Sequence, residues 1–210
     1  MDIRQHWQTV YEGRDTSTVS WFQPHLTSSL TEIGWAIATQ GLRPESARVL
    51  DVGGGASTLA DDLLELRYQQ ISVLDVAQSA LSVSQRRLGD RGQSVQWICD
   101  DLLHCDRLPE DVHLWHDRAV FHFLCDVEMR AAYLGAVRRT LTVGGHLILY
   151  TFGPQGPERC SGLPAMRYDS ASLASVFGEE FVLLRDRLET HPTPAGAHQQ
   201  FLMVHLRRTK

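Results

Sequence analysis

The sequence predicts an α/β fold, a doubly wound, mostly parallel sheet of seven strands that ends in an antiparallel hairpin. Three observations carry this. Residues 47–66 read as one strand–turn–helix unit: the apolar run Arg48–Val52, the turn Gly53-Gly54-Gly55, and a helical run from Ala56. Short apolar runs then alternate with helical patterns as far as residue 152. Finally, the runs 181–189 and 199–206 are joined by Thr190-His-Pro-Thr-Pro-Ala-Gly-Ala-His198, too short for a crossover helix, so they must pair antiparallel.

Taken in order, residues 1–26 are aromatic and polar without clean periodicity. A helix is expected over 26–40, because Leu26, Leu30, Ile33 and Ile37 share one face; Gly41 stops it, with Pro44 beyond. Then come strand 48–52, helix 56–68, strand 71–75, helix 78–89, strand 94–98 and strand 112–117. Helix 127–140, with Asp126 as its N-cap, leads to strand 145–152. Residues 153–168 are dense in Gly, Pro, Ser and Cys and read as a loop, long enough to suggest a functional role. His191-Pro-Thr-Pro194 reads as turn chemistry.

The length of 210 residues favours one domain, with an N-terminal region over 1–44 and a core over 45–210. Apolar residues make up 43%, enough for a sizeable core. A net charge of −5 with scattered basic residues argues against a nucleic-acid surface, which needs a basic stripe. No apolar run approaches the roughly 18 residues of a membrane span. Cys99, Cys105, Cys125 and Cys160 show no C-x-x-C spacing and read as free thiols of a reducing, cytoplasmic compartment. Cys99, His104, Cys105, His113 and His116 lie close in sequence but without zinc-ligand spacing, so no metal is expected.

The glycine turn suits a nucleotide. Asp51 stands at a strand end, where an open parallel sheet exposes its ligand crevice. Asp75 ends the second strand, near the spacing (roughly 20 residues) of a ribose-binding acid. The dinucleotide pattern G-x-G-x-x-G/A wants a small sixth residue, and the frame from Gly53 puts Thr58 there. That favours S-adenosylmethionine, which carries no phosphate, over NAD.

At these positions the chain resembles the class I S-adenosylmethionine-dependent methyltransferases. Asp51-Val-Gly-Gly-Gly-Ala-Ser57 is similar to their D-x-G-x-G-x-G motif, with Ser57 in place of the last glycine. Val73-Leu-Asp-Val76, Val95 to Leu102, Leu114 to Leu124 and Leu141 to Phe152 resemble the later motifs, in the family's order. The resemblance implies a Rossmann-like methyltransferase fold that binds S-adenosyl-L-methionine and releases S-adenosyl-L-homocysteine. It implies that Asp51, Gly53, Gly54 and Gly55 shape the cofactor cleft, that Asp75 holds the ribose, and that Val76 lies beside the adenine. Asp101, with Leu102 next to it and Asp100 as the alternative, is assigned to the adenine amino group. In related enzymes an aromatic N-terminal segment covers cofactor and acceptor; here that role falls to Tyr11, Trp21 and Phe22.

The fourth-strand segment supplies candidate chemistry: His122 as a proton acceptor, Asp117 to orient an amine or contact the cofactor, and Phe121 on the acceptor wall. Phe152, Cys160 and Arg167, in and after the fifth strand, are expected to form the opposite wall. The acceptor is expected to be a small molecule or a protein side chain with a nitrogen or sulfur nucleophile. The alternatives are a non-catalytic methyltransferase-like partner protein and a nicotinamide-dependent oxidoreductase. The latter would want a Y-x-x-x-K pair, and none occurs.

Overall fold

A computed structural model describes every residue except Met1 and Arg14; the part of the expected N-terminal region that falls on those two lies outside the described residues. The large sheet is built from β1 (Arg48–Val52), β2 (Gln70–Asp75), β3 (Val95–Cys99), β4 (Val112–Arg118), β5 (Leu141–Phe152), β8 (Phe181–Pro192) and β9 (His198–Arg208); β6 (Arg159–Cys160) and β7 (Leu163–Pro164) form a separate small hairpin. The sheet order is β3-β2-β1-β4-β5-β9-β8. The first five strands of that order pair parallel, and β9 lies antiparallel between β5 and β8. The seven-stranded α/β sheet with its terminal antiparallel hairpin is the expected architecture. The order reverses between β1 and β4, which puts the ligand crevice beyond their carboxyl ends.

The helices are α1 (Ile3–Tyr11), α2 (Thr27–Thr39), α3 (Leu59–Glu65), α4 (Gln78–Leu88), α5 (Val127–Thr140) and α6 (Ser170–Phe177). Two of these, α1 and α6, are additions to the sequence reading. Asp2 caps α1 by accepting from the N–H groups of Arg4 and Gln5, and Asp169 with Ser172 forms a capping box on α6. The third helix is shorter than 56–68. Residues 54–57 make a turn (Ser57 N–H to Gly54 C=O, 2.7 Å), and the helix is followed by Arg67 at φ +67°. Asp126 stands at the N-cap of α5, but its side chain makes no capping hydrogen bond.

Strand alternation gives the sheet two unlike faces. Leu50, Val52, Trp115, Leu147, Leu149, Leu202 and Val204 join the apolar core on the α5 and α6 side. Val49, Leu114, Ile148, Tyr150, Phe152, Phe201 and Met203 join the cluster beneath α2. A buried polar seam runs through this second face. Glu32 of α2 accepts from Arg187 Nη1 (2.5 Å) and meets His205 Nδ1 at 3.0 Å, while His205 Nε2 meets His146 Nδ1 at 2.7 Å. Arg187 Nη2 also donates to Ser28 Oγ, which bonds Tyr150 Oη at 2.8 Å. Burial alone would raise the Glu32 carboxyl, but hydrogen bonds from Arg187 and His205 outweigh it and hold the group below its ordinary range. Glu32 thus ties α2 to the last two strands.

Removing that carboxylate leaves the fully buried His205 without its acceptor and takes one of the acceptors of Arg187. Glu32→Ala is expected to cost about 3 kcal/mol of stability. Urea unfolding checks this, as a lowered midpoint at unchanged slope.

Candidate active site

The glycine turn after β1 is pinned to β2: the N–H groups of Gly53 and Gly54 both donate to the Leu74 carbonyl, at 2.7 and 3.2 Å. Gly53 takes φ +67°, a conformation that side chains disfavour. Gly54 and Gly55 answer to crowding. A Cβ on Gly54 would stand 2.7 Å from Asp51 Cγ and 2.8 Å from Val73 Cγ1; on Gly55 it would stand 2.8 Å from the Ala80 Cβ, against the Asp75 carboxylate.

Beyond this turn lies a cavity of about 350 Å³, within the size range of small-molecule sites. Its lining includes Gly53, Asp75, Val76, Asp100, Asp101 and Leu102. Asp75 is 7% exposed, and burial pushes its carboxyl up to about 7 against the Ala77 N–H that donates to it at 2.8 Å, with the Asp51 charge adding to the rise. Asp101 accepts from the Leu103 N–H and meets His104 Nδ1 at 3.0 Å. Asp100, the alternative, is engaged by Arg107 at 2.9 Å, which holds its carboxyl below the usual range.

The lining also includes Val120, Phe123, Leu124, Met129, Leu163 and Pro164, with Cys125, Asp126 and Cys160 among them. Burial pushes the Cys160 thiol up to about 11. Ile3, Trp7 and Tyr11, one face of α1, close over the cavity with Trp21. Trp7 packs edge-on against both Trp21 and Phe123 at 5.9 and 5.2 Å. The helix docks through Gln8, whose side chain accepts from the Ser79 N–H and whose carbonyl accepts from the Ser79 hydroxyl. His191 belongs to this construction as well as to its turn: Nε2 meets the Ser20 carbonyl at 2.7 Å and Nδ1 meets Gln23 Nε2 at 3.2 Å.

A second, smaller cavity of about 40 Å³ adjoins the first, and Tyr11, Trp21, Gly53 and Arg118 line both. Asp51, Gly54, Phe22 and His116 line only the smaller one; Gly55 lines neither. Asp51 and Arg118 are its charged walls among the described residues. Together the cavities offer a carboxylate at a strand end for a diol, an acid at a loop for an amine, and an acid–cation pair for an amino-acid zwitterion. These features fit S-adenosylmethionine.

Five expectations are corrected. Asp117 and Phe121 face the opposite side of the sheet, in the core. Asp117 accepts from Tyr133 Oη (2.8 Å) and from the N–H groups of Val120 and Phe121, and burial pushes its carboxyl up to about 6. Phe121 packs on Tyr133, Tyr168 and Phe177. His122 is fully buried, stacked on Phe152 at 4.2 Å, and neither ring nitrogen has a partner among the described residues. Burial, aided by the Arg118 charge, lowers its imidazole to about 3, which makes it too weak a base. Phe152 is likewise a core residue, and Arg167 pairs with Glu158 at 2.7 Å, away from both cavities. Arg118 is a cavity residue not among the expected site residues: it donates to the Trp21 carbonyl at 2.9 Å and lies over the Phe201 ring. Strand alternation could have found it, because residues 116 and 118 share a face that 117 does not.

Residues 49–145 match the family model of a methyltransferase domain. The curated relatives include EEF1A lysine methyltransferase 2 of Homo sapiens and of Mus musculus. Each is 24% identical over 208 residues, spanning 92% of this chain and 78% and 76% of the relatives. Among solved structures, an S-adenosylmethionine-dependent methyltransferase from Anabaena variabilis superposes with a TM-score of 0.74 at 14% identity, covering 99% of this chain and 96% of that one. The 1,6-didemethyltoxoflavin-N1-methyltransferase of Burkholderia thailandensis superposes with a TM-score of 0.71 at 19% identity, covering 99% and 87%. A protein solved in work on the conversion of a disulfide bond into a thioacetal group during echinomycin biosynthesis gives 0.77 at 19% identity, covering 99% and 93%. Residues 49–145 thus match a methyltransferase domain, and the whole chain shares its fold with these S-adenosylmethionine-dependent methyltransferases.

Proposed function

We propose that the chain methylates a nitrogen or sulfur nucleophile of a small, largely apolar molecule. The observation that carries this is the apolar share of the larger cavity's lining. Val120, Phe123, Leu124, Met129, Leu163 and Pro164 offer apolar surface for the body of an acceptor. When bound, S-adenosylmethionine supplies an electrophilic methyl group on its sulfonium sulfur. The chain's own part is to hold, align and dehydrate.

Asp75 is read as the acceptor for the ribose hydroxyls, Val76 and Leu102 as adenine contacts, and Asp101 as the acceptor for the adenine amino group. Asp51 and Arg118, on the smaller cavity, are read as holding the ammonium and carboxylate of the amino-acid end. Tyr11, Trp7 and Trp21 exclude water from the junction of the two cavities. Among the described residues no histidine lines the larger cavity, and a Cys160 thiol raised to about 11 takes up no proton at neutral pH. The acceptor is therefore read as one that arrives with its lone pair free, such as a weakly basic amine or an acidic thiol.

A second reading, a protein lysine, is favoured by the names of the 24%-identical relatives. Incubation with methyl-labelled donor separates the two. Transfer to heteroaromatic amines or thiols supports the small-molecule reading, and label appearing only on an elongation-factor protein overturns it.

Cofactor affinity is expected to depend on pH through Asp75. Ribose hydroxyls bond the ionised carboxylate, and burial raises the carboxyl to about 7, so affinity should increase as the group ionises. Calorimetric titration with S-adenosylhomocysteine should show binding about tenfold tighter at about pH 8 than at about pH 6. Asp75→Asn should bind more weakly at both and lose most of this dependence.

A further inference from the structure

We propose that His116 is a positioning residue of the cofactor site, clamping Asp51 so that one carboxylate oxygen is fixed toward the amino-acid end of the ligand. The inference rests on the S-adenosylmethionine reading above and deepens it.

Asp51 and His116 are direct cross-strand partners in the parallel pairing of β1 with β4. His116 Nδ1 lies 2.7 Å from Asp51 Oδ1, and His116 Nε2 lies 2.9 Å from the Ser29 hydroxyl of α2. The three residues are 3%, 1% and 1% exposed in the order Asp51, His116, Ser29. With both ring nitrogens bonded, the imidazole cannot turn without breaking a buried hydrogen bond. One tautomer satisfies the chain: Nδ1–H donates to the carboxylate, and Nε2 accepts from the serine hydroxyl. Oδ1 is thereby committed. Oδ2 has no hydrogen bond among the described residues and lies against Gly54, where a Cβ would overlap it. Asp51 and His116 both line the smaller cavity, and Arg118 lines it too.

An α-amino acid zwitterion needs one anion and one cation held apart. Arg118 is steadied by the Trp21 carbonyl and the Phe201 ring. The Asp51 carboxylate is oriented by two rotatable bonds, Cα–Cβ and Cβ–Cγ, and the His116 bond to Oδ1 holds the second. Without His116, a buried carboxylate oxygen loses its donor, and the group is free to rotate or to take up a proton.

The test compares two ligands on the same proteins. Both S-adenosylhomocysteine and 5′-methylthioadenosine carry the nucleoside, but only the first carries the amino-acid end. Calorimetric titration of His116→Leu is expected to show about tenfold weaker binding of S-adenosylhomocysteine, with methylthioadenosine changed less than about twofold. His116→Asn, which keeps a side-chain N–H donor near Oδ1, should recover most of the loss. Ser29→Ala, a small change on α2, should lose about threefold on S-adenosylhomocysteine alone. Equal losses on both ligands would mark His116 as merely structural and overturn the proposal, as would unchanged affinity for both. Failure of the unsubstituted protein to bind S-adenosylhomocysteine would instead remove the cofactor reading, and this inference with it.

Discussion

The cleft depends on two missing side chains. Gly54 and Gly55 leave the space in which the carboxyl groups of Asp51 and Asp75 sit against the turn. Larger residues there would push both acids off the strand ends, and with them the polar pattern that meets a nucleoside. The same closeness has an electrostatic cost, because two acids share a poorly hydrated corner and each charge opposes the other. The protein answers with local donors: His116 on Asp51 and the Ala77 N–H on Asp75. The turn, the start of α4 and the fourth strand therefore form one electrostatic unit rather than three neighbouring elements.

The two faces of the sheet serve this unit differently. Toward α5 and α6 the packing is aromatic and aliphatic, and Asp117 is a hub that satisfies Tyr133 and two backbone N–H groups. Those bonds fix the turn after β4, where Ala119 takes φ +71° and donates to the Tyr150 carbonyl, so that Val120 and Phe123 reach the cavity. Toward α2 the packing is threaded by polar groups from Asp51 to His146. An apolar face tolerates rearrangement because any close packing suffices. A hydrogen-bonded face tolerates little, since each group has a partner at a fixed distance. The site is built on the less tolerant face.

Much of this was legible in the sequence. The strands from Arg48 to Phe152 follow from apolar runs and glycine turns, and the short linker before His198 required the antiparallel hairpin. The strand-end acids Asp51 and Asp75 were identifiable because an open sheet exposes its strand ends. What failed was orientation. His122 and Asp117 lie next to cavity residues in sequence, but one was read for its chemistry and the other for its neighbour, without counting which face each takes. Alternation along Leu114 to Arg118 carries that information for Asp117, whereas His122 lies beyond the strand in a short helical turn with no such period. Likewise Ile3, Trp7 and Tyr11 recur every four residues, a helical stripe obscured by the polar residues between them. The small β6–β7 hairpin that places Cys160 was not readable, because two-residue strands leave no periodic trace.

The clasp on the N-terminal segment joins distant parts of the chain. Trp21 is held by Arg118, which lies over Phe201, and Ser20 and Gln23 are held by His191. Residues 20–23 are thus fastened by residues made much later in synthesis. A ribosome-bound chain lacking the final hairpin can pair β1, β2 and β4 and hold Trp21 through Arg118, yet it lacks the His191 bonds to Ser20 and Gln23. The last fastening of the pocket's roof therefore forms only after residues 191–201 have emerged, so the growing polypeptide can pair its parallel strands before its site is fully clasped.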